Sequence, residues 1–573
     1  MARRHQNQED REKGTLNRRH FVAAAAAVAA TRLAPASPKT ALEPTSGELG
    51  RFSSRTPSRI LYVSDPSSIA SRYLPDPTTV EDLQEWVDRL SSARVDTFVQ
   101  EAYTQGWTTY WRVDDLEYDA RPQHRRFLPL LEQGIQPLGV LLKHCHKRQM
   151  EFLAGIRIND NHGHISVKQG AGAGSSFLVK NTQWQLKDAP PGPYYELSTP
   201  LDFSFSQVRD YIFGVASRLV DRFPVDGLEL CFRDHRYFPP GQGPERKSLM
   251  TELVRRVRQM LDDAGQKRGK RLRLGARVFQ TLGECRQLGL DPETWISKGL
   301  IDYVSPNDTM HTEPNARYEE FRGLTQKGSC LLYPGILPWT SQRMRSRQGG
   351  QPMSLEQQRA AAANMYGAGA DGISFYNHFN PQSWAPFYPQ QLLQLAEMRD
   401  SKALLGGDRH YVFEPGWAGC LGFGADRAST GVVKADRLVL KRIPGSAGSY
   451  RFRICENLSE ARGATLLFRA FGAKLQDRLE VKINGKPISG KILKRRADEE
   501  RVDLEATVDP DSSANSGLPP VPKIPGSFLT YWMDLSEPPA EFGDNQLEVA
   551  LVESTAGASE DIVIDELEVF VKG

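Results

Sequence analysis

Eight short apolar runs, separated by stretches of helical periodicity, are the feature of this sequence that most limits its fold. Each run is about four to eight residues long and rich in Val, Ile, Leu and Phe, as buried parallel strands are. The runs begin near Arg59, Asp96, Glu151, Asp226, Leu272, Ile301, Cys330 and Asp371. This α/β pattern predicts a (β/α)8 TIM barrel over residues 58–405.

The stretches between the runs carry recognisable helix signals. Apolar residues recur at helical spacing from Val208 to Leu219, which predicts one buried stripe. Ser354 with Gln357 predicts a capping box, and Gly367 can end that helix. A doubly wound open sheet is the alternative fold, but no glycine-rich dinucleotide-binding turn follows the first apolar run.

The pattern changes near the end of the predicted barrel, and residues 406–573 are predicted to form a C-terminal β-sandwich domain. Apolar and charged residues alternate from Leu479 to Ile483, and Asn484-Gly485 supplies a hairpin turn. Two roles stay open for this domain: it binds carbohydrate, or it is an appendage that stabilises the barrel.

The N-terminal residues 1–36 resemble a twin-arginine export signal peptide. Arg18-Arg19 precede a weakly hydrophobic, Ala-rich run, and Ala34-Pro35-Ala36 provides a small-residue cleavage site. Residues 37–57 are rich in Ser, Pro and Thr and are predicted to be a flexible tether. The protein is therefore expected to be exported by the twin-arginine route to the periplasm or the medium.

Charge and composition exclude several classes of partner. The 73 Lys and Arg residues against 70 Asp and Glu give a net charge of +3, so no polybasic field for nucleic acid exists. No apolar run reaches the ~18 residues that a membrane span needs. His162-Gly163-His164 has a spacing found in metal sites, but only His235 and His378 remain nearby and no Cys pair has ligand spacing, so neither a metal nor a cofactor is predicted. The oligomeric state is left open.

Alternation along the strands decides which side chains point into the barrel, where active sites form at the C-terminal strand ends. Three strands each end with an inward arginine, at Arg157, Arg233 and Arg277. A guanidinium group is costly to bury without a partner. Either protein carboxylates pair with these arginines, or an anionic ligand does. The second interpretation predicts an acidic or sulfated glycan.

Further polar residues near the strand ends complete the predicted site. Glycoside cleavage usually needs two carboxyl groups. Asp160 and Glu229 are the first candidates, Asp234, Asp308 and Glu101 are the alternatives, and His162 is an assisting acid or base. Additional substrate contacts are expected from Asn159, Asn307, Asp308, Tyr376 and His378. Stacking on sugar rings is expected from aromatic residues near the strand ends, namely Tyr103, Trp107, Trp111, Tyr237, Phe238, Trp339 and Tyr376.

Four segments carry a family resemblance: GIRINDNHGH (155–164), VDGLELCFRDHRYFPP (225–240), GLDPETWISKGLIDYVSP (289–306) and GAGADGISFYNHF (367–379). Together they resemble the secreted family-10-like glycosyl hydrolase-like proteins, a barrel family. The resemblance implies an O-glycosyl hydrolase that acts on a polysaccharide or oligosaccharide. The family's Asp in the fourth strand is Cys231 here. The alternative is therefore a non-catalytic carbohydrate-binding protein on a degenerate hydrolase barrel.

Overall fold

The computed structural model describes seventeen parts of the chain: residues 60–65, 74–103, 105–119, 121–160, 174–186, 200–232, 236–307, 312, 315–337, 353–376, 378, 392–399, 401–413, 438–490, 493–498, 528–535 and 540–573. All of them belong to one compact unit, Thr56–Gly573. The predicted signal peptide and tether lie outside the described residues.

A parallel sheet forms the first part of this unit. Its strands are β1 (Ile60–Ser64), β2 (Thr97–Tyr103), β3 (Glu151–Arg157), β4 (Gly227–Cys231), β5 (Arg273–Phe279), β6 (Tyr303–Asn307), β7 (Leu331–Leu332), β8 (Gly335–Ile336) and β9 (Ile373–Tyr376). Seven of the eight predicted apolar runs contain one of these strands each. The remaining run, the seventh, contains both β7 and β8.

The sheet runs in the order β7-β6-β5-β4-β3-β2-β1-β9-β8, with every pair parallel. Its two end strands are separated in the chain only by Tyr333 and Pro334. Tyr333 donates its backbone N–H to Val304 of β6, and Ser374 of β9 donates to Pro334. The sheet therefore curls until both of its ends reach one stretch of chain. This curled sheet is consistent with the predicted barrel. Its sequential strand order lacks the reversal of a doubly wound sheet.

Helices connect the parallel strands, and one more follows the last of these strands. They are α1 (Val80–Ser92), α2 (Leu128–Glu132), α3 (Pro137–Lys147), α4 (Ser176–Lys180), α5 (Ser206–Arg222), α6 (Gly243–Arg268), α7 (Leu282–Gln287), α8 (Pro292–Ser297), α9 (Glu319–Thr325), α10 (Leu355–Gly367) and α11 (Ser401–Leu405). Short 3-10 helices span Gln105–Trp107, Pro122–Phe127, Thr182–Trp184, Leu392–Arg399 and Leu458–Glu460.

Alternation divides the strand residues between two cores. The larger core lies between the sheet and the helices and includes Leu228 and Leu230 together with the stripe of α5. The smaller core lies inside the curl of the sheet and includes Leu61, Val99 and Tyr303. Since successive side chains of a strand point to opposite faces, the polar residues at odd positions of β3 to β6 face the inner side.

The cap signals predicted both ends of α10, although Gly367 does not end the helix through a left-handed conformation. Ser354 and Gln357 form the predicted capping box. Gly367 is the last helical residue, as predicted, and the left-handed conformation falls on Gly369, with φ of 92°. Gly367 serves packing instead, because a Cβ at this position would lie 2.1 Å from the carbonyl oxygen of Cys455.

Antiparallel strands form the second part of the unit. They are β10 (Arg409–Phe413), β11 (Leu438–Leu440), β12 (Ala447–Ile454), β13 (Gly463–Phe471), β14 (Arg478–Ile483), β15 (Lys486–Pro487), β16 (Lys494–Asp498), β17 (Phe528–Asp534), β18 (Gly543–Glu553) and β19 (Ile562–Lys572).

These strands make a β-rich part with two sheets and one shared apolar core. One sheet has the order β10-β19-β13-β17-β16, with β11 added beside β19, and the other has the order β12-β18-β14-β15. Asn484 and Gly485, with φ of 51° and 75°, form the predicted hairpin turn between β14 and β15. Ala360 of α10 joins this core, and Asn364 hydrogen-bonds the backbone of Arg453 and Cys455.

Candidate functional site

The inner face of the sheet carries a row of polar residues at its C-terminal edge. Strand register places Arg157 beside Cys231, Cys231 beside Arg277, and Arg277 beside Ser305. Because residues paired across parallel strands project to the same face, these four side chains lie at one level inside the curl. All four are buried.

Arg157 is surrounded by carboxylates from three strand ends. Its Nε lies 3.0 Å from Glu101 Oε2 of β2, and its Nη2 lies 3.1 Å from Asp65 Oδ2, just after β1. Its Nη1 donates to Asp160, which follows β3, and its Nη2 also donates to the hydroxyl of Tyr376. One buried guanidinium group therefore holds three acidic side chains together.

The three carboxyl groups are grouped around one side chain. Asp65, Glu101 and Asp160 all contact the planar guanidinium group of Arg157. Glycoside cleavage uses two carboxyl groups that flank one bond. Register between β2 and β3 shifts between Glu101 and Tyr103. Irregularities of this kind often re-aim a side chain next to an active site.

Arg277 is paired with Glu229 deep in the same interior. Arg277 Nε lies 3.0 Å from Glu229 Oε1, and Arg277 Nη2 donates to Ser374 Oγ at 2.7 Å. The hydroxyl of Tyr303 donates to Glu229 Oε2 at 2.9 Å. Burial lowers the pKa of Arg277, but the charge and hydrogen bond of Glu229, together with the neighbouring Cys231 and Tyr303, outweigh burial and the pKa is raised. Gly275 makes room for this arrangement, because a Cβ there would lie 2.0 Å from the Tyr303 ring.

These contacts favour one of the two interpretations of the predicted arginines. Arg157 and Arg277 are both paired with protein carboxylates, so neither of them requires an anionic ligand. Glu229, predicted as a catalytic acid, is the charge partner of Arg277. Arg233, Asp234, His162 and Asp308 lie outside the described residues, and their predicted roles stay predictions.

Three buried polar side chains at the ends of β5 and β6 have atoms without a hydrogen-bond partner among the residues that the structure describes. The atoms are Nη1 of Arg277, Oγ of Ser305 and both amide atoms of Asn307. Asn307 packs against Gly335, where an added Cβ would lie 2.6 Å from the Asn307 Cβ. Arg277 and Asn307 were predicted substrate contacts, whereas Ser305 was not.

Asn159 and His378, which were predicted to contact the substrate, have partners other than the buried row of Arg157, Cys231, Arg277 and Ser305. The Asn159 amide donates to the carbonyl oxygens of Leu201 and Arg236, and its oxygen accepts from the Leu201 N–H. Asn159 therefore holds two loop segments against the end of β3 by hydrogen bonds.

The His378 ring packs edge-on against Phe375, with 5.0 Å between the ring centroids, on the helix side of the sheet. Burial lowers the pKa of His378 to about 3.

Most of the aromatic residues expected to stack on sugars instead pack within the protein. Tyr103, Trp107, Trp111, Tyr237 and Phe238 are buried members of the core between sheet and helices. Tyr376 alone among the described candidates lies in the inner core, beside Arg157. Trp339 lies outside the described residues. The spacing of aromatic residues along the sequence does not distinguish a packed ring from an exposed one.

Asp65 is the acidic residue that the sequence interpretation missed. It stands directly after the first apolar run, and an acidic residue at that place in a barrel strand is a signal that could have identified it. Within the described ranges, no three His, Cys, Asp or Glu side chains are grouped so as to hold a metal ion. No helix in the same ranges is long and apolar enough to cross a membrane.

No protein-family model matches the chain, and no curated protein sequence matches it either. Among solved structures, the α-amylase of Geobacillus thermoleovorans, complexed with acarbose, is similar with a TM-score of 0.36 and 11% identity, over 90% of this chain and 98% of that one.

A Paenibacillus sp. cycloisomaltooligosaccharide glucanotransferase is similar with a TM-score of 0.33 and 10% identity over 89% of this chain. An α-L-fucosidase from Paenibacillus thiaminolyticus is similar with a TM-score of 0.36 and 11% identity over 61% of this chain. The chain spans 57% and 48% of the lengths of these two proteins. Scores of this size carry no inference about the chemistry of this chain.

Proposed function

We propose that this protein is an exported, glycoside hydrolase-like enzyme whose parallel sheet is a (β/α)8 barrel. In this proposal, β7 and β8 are two halves of one strand, interrupted at Pro334 because proline has no N–H to donate. The hydrogen bonds of Tyr333 and Ser374 on either side of that interruption support it. The proposed substrate is a polysaccharide or oligosaccharide.

The observation that carries the proposal is the group of three carboxylates around Arg157. Cleavage of a glycosidic bond needs one carboxyl group that protonates the leaving oxygen and another that acts as base or nucleophile. Asp160 and Glu101 are assigned these two roles, since both lie at C-terminal strand ends, where barrel active sites form. Arg157 orients them, and Asp65 is a third acidic side chain in contact with the same guanidinium group.

The experiment measures the release of reducing ends by the purified mature protein from maltoheptaose, cellohexaose, xylohexaose, chitohexaose and oligogalacturonate. Asp160→Asn and Glu101→Gln each keep the size of the side chain and remove the acid. Each should lower the rate on an active substrate by about 10² to 10⁴-fold, the usual contribution of a positioned acid or base.

Glu252→Gln is the matched control, because Glu252 pairs with Arg255 on an exposed helix surface. Its rate should equal that of the wild type. Equal rates for wild type and Asp160→Asn would refute the assignment of Asp160.

The second candidate function is carbohydrate binding without catalysis. Two observations favour it: Arg157 engages all three carboxylates at once, and Cys231 occupies the position where the resembling family has Asp. A binder would retain one of these glycans in calorimetry and release no reducing ends from it. Binding with measurable hydrolysis would decide for the enzyme.

Export is proposed from Arg18-Arg19 and the Ala-rich run that follows. Replacing both arginines with Lys should leave the protein in the cytoplasm, as measured by cell fractionation. Unchanged export of this variant would exclude the twin-arginine route.

A further inference from the structure

We infer that the C-terminal ends of β5 and β6 form a binding subsite for an uncharged, hydroxyl-bearing group, such as one ring of a neutral sugar. The subsite is built from Arg277, Ser305 and Asn307. This inference rests on the proposed function, because it names the class of glycan that the same site takes.

The burial of these residues is the first support. Arg277, Ser305 and Asn307 each have a relative exposure of 0%. Within the described part of the chain, the Nη1 of Arg277, the Oγ of Ser305 and both amide atoms of Asn307 lack hydrogen-bond partners. A buried polar atom that is left unpaired lowers stability, and most such atoms in proteins do have a partner. A ligand that supplies the missing partners explains why these residues are tolerated.

The strand geometry places the three side chains together. Arg277 and Ser305 are register partners on neighbouring strands, which are about 5 Å apart. Ser305 and Asn307 are two residues apart on β6 and so share its inner face. Tyr303 lies two residues before Ser305 and therefore on the same face, and its hydroxyl donates to Glu229 inside the curl of the sheet. Gly335 leaves room for the Asn307 side chain.

The chemistry of the unpaired atoms selects the ligand class. Arg277 offers a donor, the Asn307 amide offers both donors and an acceptor, and the Ser305 hydroxyl is both donor and acceptor. Neighbouring hydroxyl groups of a sugar ring can donate and accept at once, so they can satisfy the whole set. An anion only accepts, and would leave the Asn307 oxygen without a donor.

Charge leads to the same conclusion. Arg277 is already neutralised by two contacts with Glu229, at 3.0 and 3.4 Å. The two N–H bonds of its Nη1 are therefore hydrogen-bond donors without an unbalanced charge behind them. A carboxylate or sulfate placed here would also approach Glu229, and a cation would approach the guanidinium group.

The experiment uses calorimetry with the mature protein and its Ser305→Ala and Asn307→Leu variants. The probes are four neutral oligosaccharides (maltoheptaose, cellohexaose, xylohexaose and chitohexaose) and one acidic probe, oligogalacturonate. Each variant should bind the preferred neutral probe at least tenfold more weakly than the wild type does. The melting temperature without ligand should stay equal or rise, because each substitution removes buried atoms that have no partner.

Thr251→Val is the matched control, since Thr251 is also buried but accepts a hydrogen bond from the Trp295 indole, between α6 and α8. It should lower the melting temperature and leave glycan affinity unchanged. Neutral-probe affinity that is unchanged in both subsite variants would overturn the subsite, as would a wild-type preference for oligogalacturonate. If the wild type binds none of the five probes, the proposed function itself fails.

Discussion

Separating Glu229 from Arg277 gives the sharpest test of how this interior is held together. Glu229→Gln removes one negative charge and keeps the side-chain size and the hydrogen bond from Tyr303. Arg277 then remains charged, and among the described residues no other carboxylate is paired with it. Both side chains are essentially inaccessible, with relative exposures of 1% and 0%.

The size of the effect follows from burial. Removing one partner of a buried ion pair costs about 3 to 5 kcal/mol, because the remaining charge is neither solvated nor neutralised. The pair itself is worth far less than this. Replacing Arg277 with Met as well removes the uncompensated charge, so the Glu229→Gln, Arg277→Met double variant should be more stable than Glu229→Gln alone.

The assay is the melting temperature, measured by differential scanning calorimetry at pH 7. Glu229→Gln should lower it by about 3 to 5 °C, because the unfolding entropy of a unit of this size is about 1.1 kcal/mol per kelvin. Glu252→Gln, which breaks an exposed pair on α6, should cost no more than about 1 kcal/mol and shift the temperature little. The reasoning is refuted if Glu229→Gln has the melting temperature of the wild type. It is also refuted if the double variant melts at a lower temperature than Glu229→Gln alone.

Three further outcomes are expected. Burial lowers the pKa of His378 in the folded protein to about 3. As the pH falls from about 6.5 to 3, the unfolded chain therefore takes up a proton that the folded protein does not, and stability decreases. His378→Gln should make this decrease smaller in melting temperatures measured across that range. Gly335→Ala should displace Asn307, because its Cβ would lie 2.6 Å from that of Asn307, and weaken glycan binding in calorimetry; an unchanged affinity would contradict the packing. Burial raises the pKa of Glu568, but the hydrogen bonds and charges of His410 and Arg469 together outweigh burial, and the pKa falls to about 2. Glu568→Gln should therefore lower the melting temperature at pH 7 and matter less as the pH falls below about 4; an equal effect at pH 7 and at pH 3 would be inconsistent with this pairing.

Local sequence patterns were sufficient to predict the strands of the parallel sheet and the face on which their residues lie. The reason is that strand alternation has a period of two residues and depends only on neighbouring positions. It correctly put Arg157 and Arg277 on the inner face, and Leu228 and Leu230 on the outer one. Short-range chemistry likewise predicted the capping box of Ser354 and the turn at Asn484-Gly485, because each depends on contacts within four residues.

Only the tertiary structure decided which charges meet. Asp65, Glu101 and Asp160 are far apart in the chain, and the curl of the sheet brings all three to Arg157. The same closure assigns Glu229 to Arg277 as a charge partner, although alternation alone left its role open. Pairing of this kind depends on which strands become neighbours and at what stagger, and both are properties of the whole sheet. A sequence read locally indicates which side chains face the interior, but the closed arrangement determines their partners.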